Sequence, residues 1–497
     1  MFTQKWREHW NMSHDPFNCE DADKDIILSE LDSSVVHWSF DRMYGNPQMA
    51  APAVAFGEKG SGKSALRLVM GRKLDEFNKE NPDKKVFLIE YVDFNPFLSI
   101  FRRRIGARAD DRQASLDVVK RWKISDHLDA ILSLGSTKFI DQIMDSGNAP
   151  KEMTRKQKIY LLSLAALYYN SDRKTTSEAM LSLRKIIKHY SWRPMFKWMF
   201  IILLTLASVA TALVPWYTGM ESTFFKKVLY GVGGLGLAGT WGWWLFDYLL
   251  ARTQSAWAGR SVKVLPRNSS NLGTLLSRLS NKERKEFILP NGTDESGRYH
   301  LMDRFMDILE SFGYQGVYVM MDRIDEPSLL SINETLMRQF VEKLLDIKLL
   351  QYPRLGLKLF LPIEMDAIHR NATAEQLKHM RLDKSNLVAE LKWSGQELYE
   401  IANQRMAICK TPESEIRPLS DLFEDSFDFV YLKDTLSTLG TPRYAFGFLS
   451  TLFSEYVKDL PNDLTEDDPR WKISRTHFDV IRAQWIDRSG ILRRVLN

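Results

Sequence analysis

The stretch from Pro52 to Leu74, PAVAFGEKGSGKSALRLVMGRKL, decides the fold class that we predict for this chain. Its apolar start, Ala53–Phe56, has the composition of a buried strand, and residues 65–74 carry apolar side chains at helical spacing. Between them, Gly57–Ser64 is a full match to the pattern G-x-x-x-x-G-K-[ST]. A strand, a glycine-rich turn and a helix in this order are typical of a loop that binds phosphate groups.

The residues of this loop suggest how phosphate oxygens are held. Its glycines allow the backbone N–H groups to turn toward an anion, and the following helix adds its positive end. We expect Lys63 to reach the β- and γ-phosphates and the Ser64 hydroxyl to ligate Mg²⁺. The predicted nucleotide-binding residues are Gly57, Glu58, Lys59, Gly60, Ser61, Gly62, Lys63, Ser64 and Ala65.

A second stretch, GVYVMMDRIDE at Gly316–Glu326, supplies the acidic groups that such a loop needs. Val317–Met321 is an unbroken apolar run, as expected for a central strand of a parallel sheet. It ends at Asp322, which is suited to hold Mg²⁺. Either Asp325 or Glu326 can act as the general base that polarises an attacking water, and the longer reach of glutamate favours Glu326.

Three more segments have the composition of strands, namely Val86–Val92, Leu357–Leu361 and Leu387–Leu391. Together with the two strands above, they alternate with segments of helical pattern. This alternation predicts an α/β fold with a doubly wound parallel sheet.

Two uncharged runs interrupt this pattern. Trp198–Tyr217 reads WMFIILLTLASVATALVPWY, and Val228–Phe246 follows after a gap that contains Glu221, Lys226 and Lys227. About 20 apolar residues cross a bilayer as a helix, so the pair predicts an inserted transmembrane hairpin. The alternative interpretation is a pair of buried helices in a large soluble core.

The flanks of the two runs predict their orientation. Both outer flanks are basic, whereas the connecting loop has little net charge, so the positive-inside bias puts both flanks in the cytoplasm. Small residues at Gly234, Ala238 and Gly242 form a face that allows close helix approach. The flanking basic residues are Arg184, Lys185, Lys188, Arg193 and Lys197 before the hairpin, and Arg252, Arg260, Lys263 and Arg267 after it.

The composition excludes several other classes. A net charge of +5 in 497 residues is too weak to predict a nucleic-acid partner. The only two cysteines, Cys19 and Cys409, form no disulfide framework or zinc motif, which fits a reducing cytoplasm. The first residues lack an apolar core, so we expect no signal peptide.

A P-loop with two membrane helices inserted before an acidic strand end resembles the KAP P-loop NTPases, and more widely the AAA+ and STAND ATPases. The segments LKWSGQELYEIANQRM and LSTLGTPRYAFGFLSTLF look like the helical lid of those families. The resemblance implies that Arg443, in G-x-P-R, contributes to catalysis as a sensor-2 arginine. It also implies an arginine finger, for which Arg370 and Arg381 are the candidates.

The resemblance implies a division of the chain into five parts. They are 1–109, the N-terminal linker and first half of the NTPase domain; 110–197, a helical insertion; 198–250, the transmembrane hairpin; 251–392, the second half of the NTPase domain; and 393–497, the helical lid and C-terminal module.

The expected activity is that of a membrane-anchored, homo-oligomeric ATPase with ATP and Mg²⁺ as cofactors. The resemblance places it in a bacterial inner membrane as a multi-pass protein with both termini cytoplasmic, in anti-phage or mobile-element defence, with a protein partner encoded nearby. The alternative is a nucleotide-gated membrane scaffold or pore with little turnover. A GTPase is disfavoured because no N-K-x-D motif follows the fourth strand.

Overall fold

The chain divides into two compact units, one formed by Met1–Asp93 with Gly316–Asn497 and the other by Phe94–Gln315. The second unit is therefore inserted into the sequence of the first. The computed structural model describes residues 4–18, 21–31, 37–107, 112–150, 152–189, 192–219, 222–266, 269–280, 283–284, 287–330, 334–366, 370, 373–379, 386–412, 415, 417–461, 464–465 and 467–496.

A five-stranded parallel sheet forms the centre of the first unit, as predicted for an α/β fold. Its spatial order is β2-β3-β4-β1-β5. The strands are almost entirely buried because helices cover both faces of such a sheet. Their bounds are β1 Ala53–Gly57, β2 Lys85–Tyr91, β3 Tyr314–Met321, β4 Leu355–Pro362 and β5 Leu387–Val388.

The register of the sheet brings the phosphate-loop motif and the acidic strand end to one edge. Gly57 at the end of β1 pairs with Pro362, and Met321 at the end of β3 pairs with Leu359 of the same strand β4. Because parallel strands end at a common edge, the segments after β1 and β3 emerge side by side, with β4 between them.

Four helices lie in the N-terminal part of this unit. Helix α4 begins directly after Gly62 and buries Leu66, Val69, Met70 and Leu74 against the sheet. These residues recur at helical spacing, which is why the sequence pattern identified the helix. The helices are α1 Gln4–His9, α2 Ile26–Glu30, α3 Phe40–Tyr44 and α4 Lys63–Glu80, with a 3-10 turn at Ala22–Lys24.

A lysine lies in the core beside this sheet. Lys358 of β4 is 1% exposed, and its ammonium donates to the Tyr44 carbonyl oxygen at 3.2 Å and lies 4.6 Å from the centre of the Tyr318 ring. The Tyr318 hydroxyl donates to the same carbonyl at 2.9 Å. Burial lowers the pKa of Lys358 to about 7.

The described residues of the inserted unit are mainly helical. Its interior contains an ion pair between Asp129 and Arg298, whose side chains are fully buried and joined at 2.9 Å. The Tyr168 hydroxyl also donates to Asp129. The helices are α5 Asn95–Ile105, α6 Arg112–Arg121, α7 Ile124–Ser146, α8 Arg155–Tyr168, α9 Thr176–Ile186, α10 Arg193–Tyr217, α11 Thr223–Ser261, α12 Ser269–Ser277 and α13 Ser296–Ser311.

Only one described helix is long and apolar enough to cross a membrane by itself. It is Pro194–Tyr217, with a mean hydropathy of 2.1 and 11% of its most apolar window buried. The second predicted crossing lies within α11, where glycine and tryptophan lower the hydropathy. The expected multi-pass topology is therefore not supported, and one candidate span remains.

Helices α10 and α11 pack closely, but not through the predicted small-residue face. A methyl group at Gly233 would lie 2.8 Å from the Ser208 carbonyl oxygen, so this glycine is where the backbones approach. At Gly234 and Gly242, by contrast, no atom of the described chain lies within 4 Å of such a methyl. The predicted face therefore points away from α10.

The C-terminal part of the first unit forms a helical lid. Its apolar core includes Trp6, Trp10 and Phe17 from the N-terminal segment, so both ends of the chain share one core. The described residues between β3 and β5 include α14 Glu334–Glu342, α15 Ile347–Leu350 and α16 Ala374–His379, with a 3-10 turn at Ile363–Asp366. The described helices of the lid are α17 Gly395–Ile408, α18 Phe429–Leu439, α19 Pro442–Lys458 and α20 Arg475–Leu496, with 3-10 turns at Leu419–Leu422 and Pro469–Trp471.

Candidate functional site

The glycine-rich loop after β1 has the backbone that its sequence predicts. Gly60 and Gly62 have φ angles of 88° and 91°, a left-handed region that residues with a side chain rarely adopt. The Lys63 ammonium lies over the loop and donates to the carbonyl oxygens of Gly57 at 2.6 Å and Glu58 at 2.9 Å. The loop and its lysine thus form a compact structure at the start of α4.

The charge of Lys63 is set by opposing effects. Burial lowers the pKa of its ammonium, whereas the carboxylates of Asp325, Asp322 and Glu364 raise it and Arg443 lowers it. The lysine therefore lies among acidic groups and beside one further cation. Such a group is suited to attract and orient a polyanion that brings its own metal ion.

The two predicted magnesium ligands are in direct contact, although they are 258 residues apart in the sequence. The Ser64 hydroxyl donates to Asp322 Oδ2 at 2.6 Å, and Asp322 is 1% exposed. Mg²⁺ prefers oxygen ligands and usually takes one or two from the protein together with phosphate oxygens. A hydroxyl and a carboxylate at the mouth of a phosphate loop fit that requirement.

A buried arginine that the sequence analysis missed forms an ion pair with Asp322. Arg67 of α4 is 3% exposed, and its Nε lies 3.3 Å from Asp322 Oδ2. Its other nitrogens donate to Asp23 and Glu90, each at 2.7 Å. Arg67 follows Ser64 by three residues, which places both on one helix face, and this spacing could have identified it.

The two candidate bases have different surroundings. Glu326 lies 3.5 Å from Arg323, which also bonds Asp21 at 3.0 Å. Burial raises the pKa of Glu326, and the charges of Asp325 and Asp322 raise it further, while Arg323 opposes them. Among the neighbouring carboxylates, Asp325 is the one that raises the pKa of the Lys63 ammonium most. A carboxylate with a raised pKa accepts a proton more readily, which favours Glu326 as the base.

Arg443, the remaining predicted site residue, belongs to the lid. The backbone N–H of Arg443, at the start of α19, donates to the Gly60 carbonyl oxygen at 3.3 Å. Trp393, between β5 and α17, donates its indole N–H to the Ser61 carbonyl oxygen at 2.7 Å. The lid therefore lies directly on the phosphate loop.

These groups surround a cavity of about 600 Å³, a volume within the usual range of small-ligand sites. Phe17 and Phe446 contribute an aromatic wall, with ring centres 5.6 Å apart. The predicted residues that line the cavity are Lys59, Gly60, Gly62, Lys63, Ser64, Ala65, Asp322, Asp325, Glu326 and Arg443. One end of the cavity is thus charged, and aromatic rings are available to a flat base.

Of the two candidate arginine fingers, the structure describes one. Arg370 is exposed, forms an ion pair with Asp366 at 2.5 Å and is not among the residues that line the cavity. Arg381 falls outside the described residues. The role of both as fingers stays a prediction.

Comparison with known proteins adds no relative: no family model, no curated protein and no solved structure matches this chain.

Proposed function

We propose that this protein is a P-loop ATPase of the kind that the sequence predicts. The contact between Ser64 and Asp322 at 2.6 Å carries this proposal, because it joins the glycine-rich loop to an acidic strand end suited to hold Mg²⁺. The cavity beside this contact has the volume and the aromatic wall that a nucleotide needs.

The chemistry assigned to each residue follows from its position. Lys63 and Arg443 supply positive charge to the phosphate groups, where charge develops in the transition state. Ser64 and Asp322 are the residues that would hold Mg²⁺, which would supply positive charge to neutralise the phosphate groups. Glu326 accepts a proton from the attacking water, with Asp325 as the alternative base.

We also propose that α10 and α11 cross the membrane as a hairpin. Both helices expose large apolar side chains, for example Leu206 at 65%, Leu235 at 76% and Phe246 at 67%. Patches of this extent are unusual on a surface that faces water. Release of the protein from membranes by alkaline extraction would contradict this assignment.

In the sequence, the hairpin is inserted between the two halves of the nucleotide-binding unit. A movement of the lid or sheet on hydrolysis is therefore transmitted along the chain to the helices in the membrane. The proposed output is a conformational or assembly change of a homo-oligomer that acts in bacterial anti-phage or mobile-element defence. A nucleotide-gated scaffold or pore that hydrolyses little ATP is the second candidate. It is favoured by the small-residue face of α11, which points away from α10.

The direct test is nucleotide binding by the full chain in detergent. We expect Mg²⁺-dependent binding of ATP, measured by calorimetry, and slow release of phosphate. GTP should bind more weakly, because no guanine-reading motif follows β4. A sample that binds no nucleoside triphosphate at millimolar concentration would refute the proposal.

Replacing Glu326 by Gln should separate binding from turnover. We expect kcat to fall by about 100-fold or more while the Kd for ATP changes by less than about threefold, because the amide keeps its size but cannot accept the proton. Steady-state phosphate release and calorimetry measure the two quantities. Glu455→Gln, on the exposed surface of α19, is the matched control.

If Asp325→Asn instead abolishes turnover and Glu326→Gln does not, Asp325 is the base. A scaffold or pore should keep its nucleotide-dependent assembly in the Glu326→Gln variant, which separates the two candidate functions.

A further inference from the structure

The lid contacts the phosphate loop through two of the loop's carbonyl oxygens. Trp393 Nε1 donates to the Ser61 carbonyl at 2.7 Å, and the Arg443 backbone N–H donates to the Gly60 carbonyl at 3.3 Å. No phosphate oxygen is needed for either bond, so the lid can hold the loop before a nucleotide arrives.

These two bonds orient the peptide groups of the loop. In a planar trans peptide the C=O and the following N–H point in opposite directions. The bond from Trp393 to the Ser61 carbonyl therefore directs the N–H of Gly62 away from the indole. The Ser61 N–H, in the peptide that Arg443 holds, donates to the Glu58 carbonyl at 3.1 Å within the loop.

The indole itself contacts both the loop and His37. A methyl group at Gly62 would lie 3.4 Å from Trp393 Cζ2, so the ring rests against the backbone of the loop. His37 meets the ring edge-on, with centres 4.7 Å apart. His37 in turn is held by the Lys392 carbonyl oxygen at 2.7 Å and the Ser39 N–H at 3.1 Å.

We propose that Trp393 is a positioning residue for phosphate binding. Trp393 orients the loop before a phosphate group binds, and it transmits a movement of the occupied loop to the lid. Trp393 immediately precedes Ser394, the residue that caps α17. A shift of the loop by a bound phosphate group therefore moves the start of the lid. The coupling of the loop to the lid rests on the proposed ATP binding. The orientation of the loop by Trp393 concerns the nucleotide-free protein alone.

The first experiment is hydrogen exchange of the loop amides in the nucleotide-free full chain, comparing wild type with Trp393→Phe. Phenylalanine keeps most of the packing but cannot donate to Ser61. We expect exchange at residues 60–62 to accelerate at least about threefold, the factor that corresponds to losing one weak net hydrogen bond. Unchanged exchange would overturn the positioning role, whether or not the protein binds ATP.

Trp471→Phe is the matched control, because Trp471 also donates its indole N–H to a carbonyl, that of Thr465 at 2.8 Å, but inside the lid. It should leave exchange of the loop unchanged. An equal acceleration in both variants would show general loosening of the lid and overturn the inference.

The second experiment uses ATP. We expect Trp393→Phe to raise the Kd for Mg²⁺-ATP by about 3- to 10-fold, and to remove most of the change in tryptophan fluorescence on binding. Trp471→Phe should preserve both. A wild-type chain that fails to bind ATP refutes the proposed function, whereas a Trp393→Phe variant with the wild-type Kd and fluorescence change overturns only the coupling.

Discussion

Lys63→Ala is expected to lower ATP turnover by about 100- to 1,000-fold, as when one preorganised charged donor is removed from a transition state. The Kd for Mg²⁺-ATP should rise by at least about tenfold, because a hydrogen bond to a charged group is lost. The reason lies in the loop: the ammonium is held over Gly57 and Glu58 by bonds of 2.6 and 2.9 Å, at the charged end of the cavity. Calorimetry and phosphate release measure both effects.

Lys79→Ala is the control, since Lys79 lies on the exposed surface of the same helix α4. Both variants lose one positive charge, so a general electrostatic effect would appear in each. Equal ATP affinity and turnover in wild type and Lys63→Ala would refute the assignment of this loop as the nucleotide site.

Lys358→Met is expected to stabilise the first unit at neutral pH by up to about 5 kcal/mol. The pKa of Lys358 falls from 10.5 to about 7 on burial, and each unit is worth about 1.4 kcal/mol. Methionine has a similar length and needs no hydrogen bond. The Tyr44 carbonyl that Lys358 contacts keeps its bond from the Tyr318 hydroxyl, so the substitution leaves that acceptor satisfied.

The sign of the pH dependence follows from linkage. Between pH 7 and 10.5 the unfolded chain carries a proton on Lys358 that the folded chain has largely released. The free energy of unfolding of the wild type should therefore rise with pH across this window. It should fall again as the pH decreases to about 7. The variant should lack this dependence.

The measurement is the unfolding temperature of the full chain between pH 7 and 10, with Lys84→Met, an exposed lysine before β2, as the control. We expect the variant to melt at least about 5 °C higher at pH 7, with a smaller difference at pH 10. A lower melting temperature at pH 7 would show that the ammonium stabilises the core.

The sequence was most informative where chemistry depends on neighbours in the chain. Gly60 and Gly62 adopt their left-handed φ angles because each lacks a Cβ, and α4 follows because its apolar side chains recur at helical spacing. The five apolar runs were sufficient to predict five strands, since strands buried on both faces have few polar residues. The predicted end of the fifth was wrong, because β5 ends at Val388 and not at Leu391. Asp322 was identified because it directly follows such a run.

The hydropathy of the inserted helices was harder to interpret. The run within α11 has no charge between Val228 and Phe246, but charge alone does not measure hydrophobicity. Its glycines and tryptophans contribute less than leucine or isoleucine, so among the described helices only Pro194–Tyr217 is a candidate span by length and hydropathy. Which glycines of α11 face α10 depended on how the two helices pack.

By itself, the sequence determined the phosphate-loop motif, the parallel α/β sheet and the acidic strand end, because each is encoded by residues close together in the chain. The packing of distant segments brings Ser64 to Asp322, pairs Arg67 with this carboxylate and places Trp393 against the loop. These contacts join residues that are distant in sequence, and no local pattern specifies which of many arginines or tryptophans the folded chain brings to a given carboxylate or carbonyl.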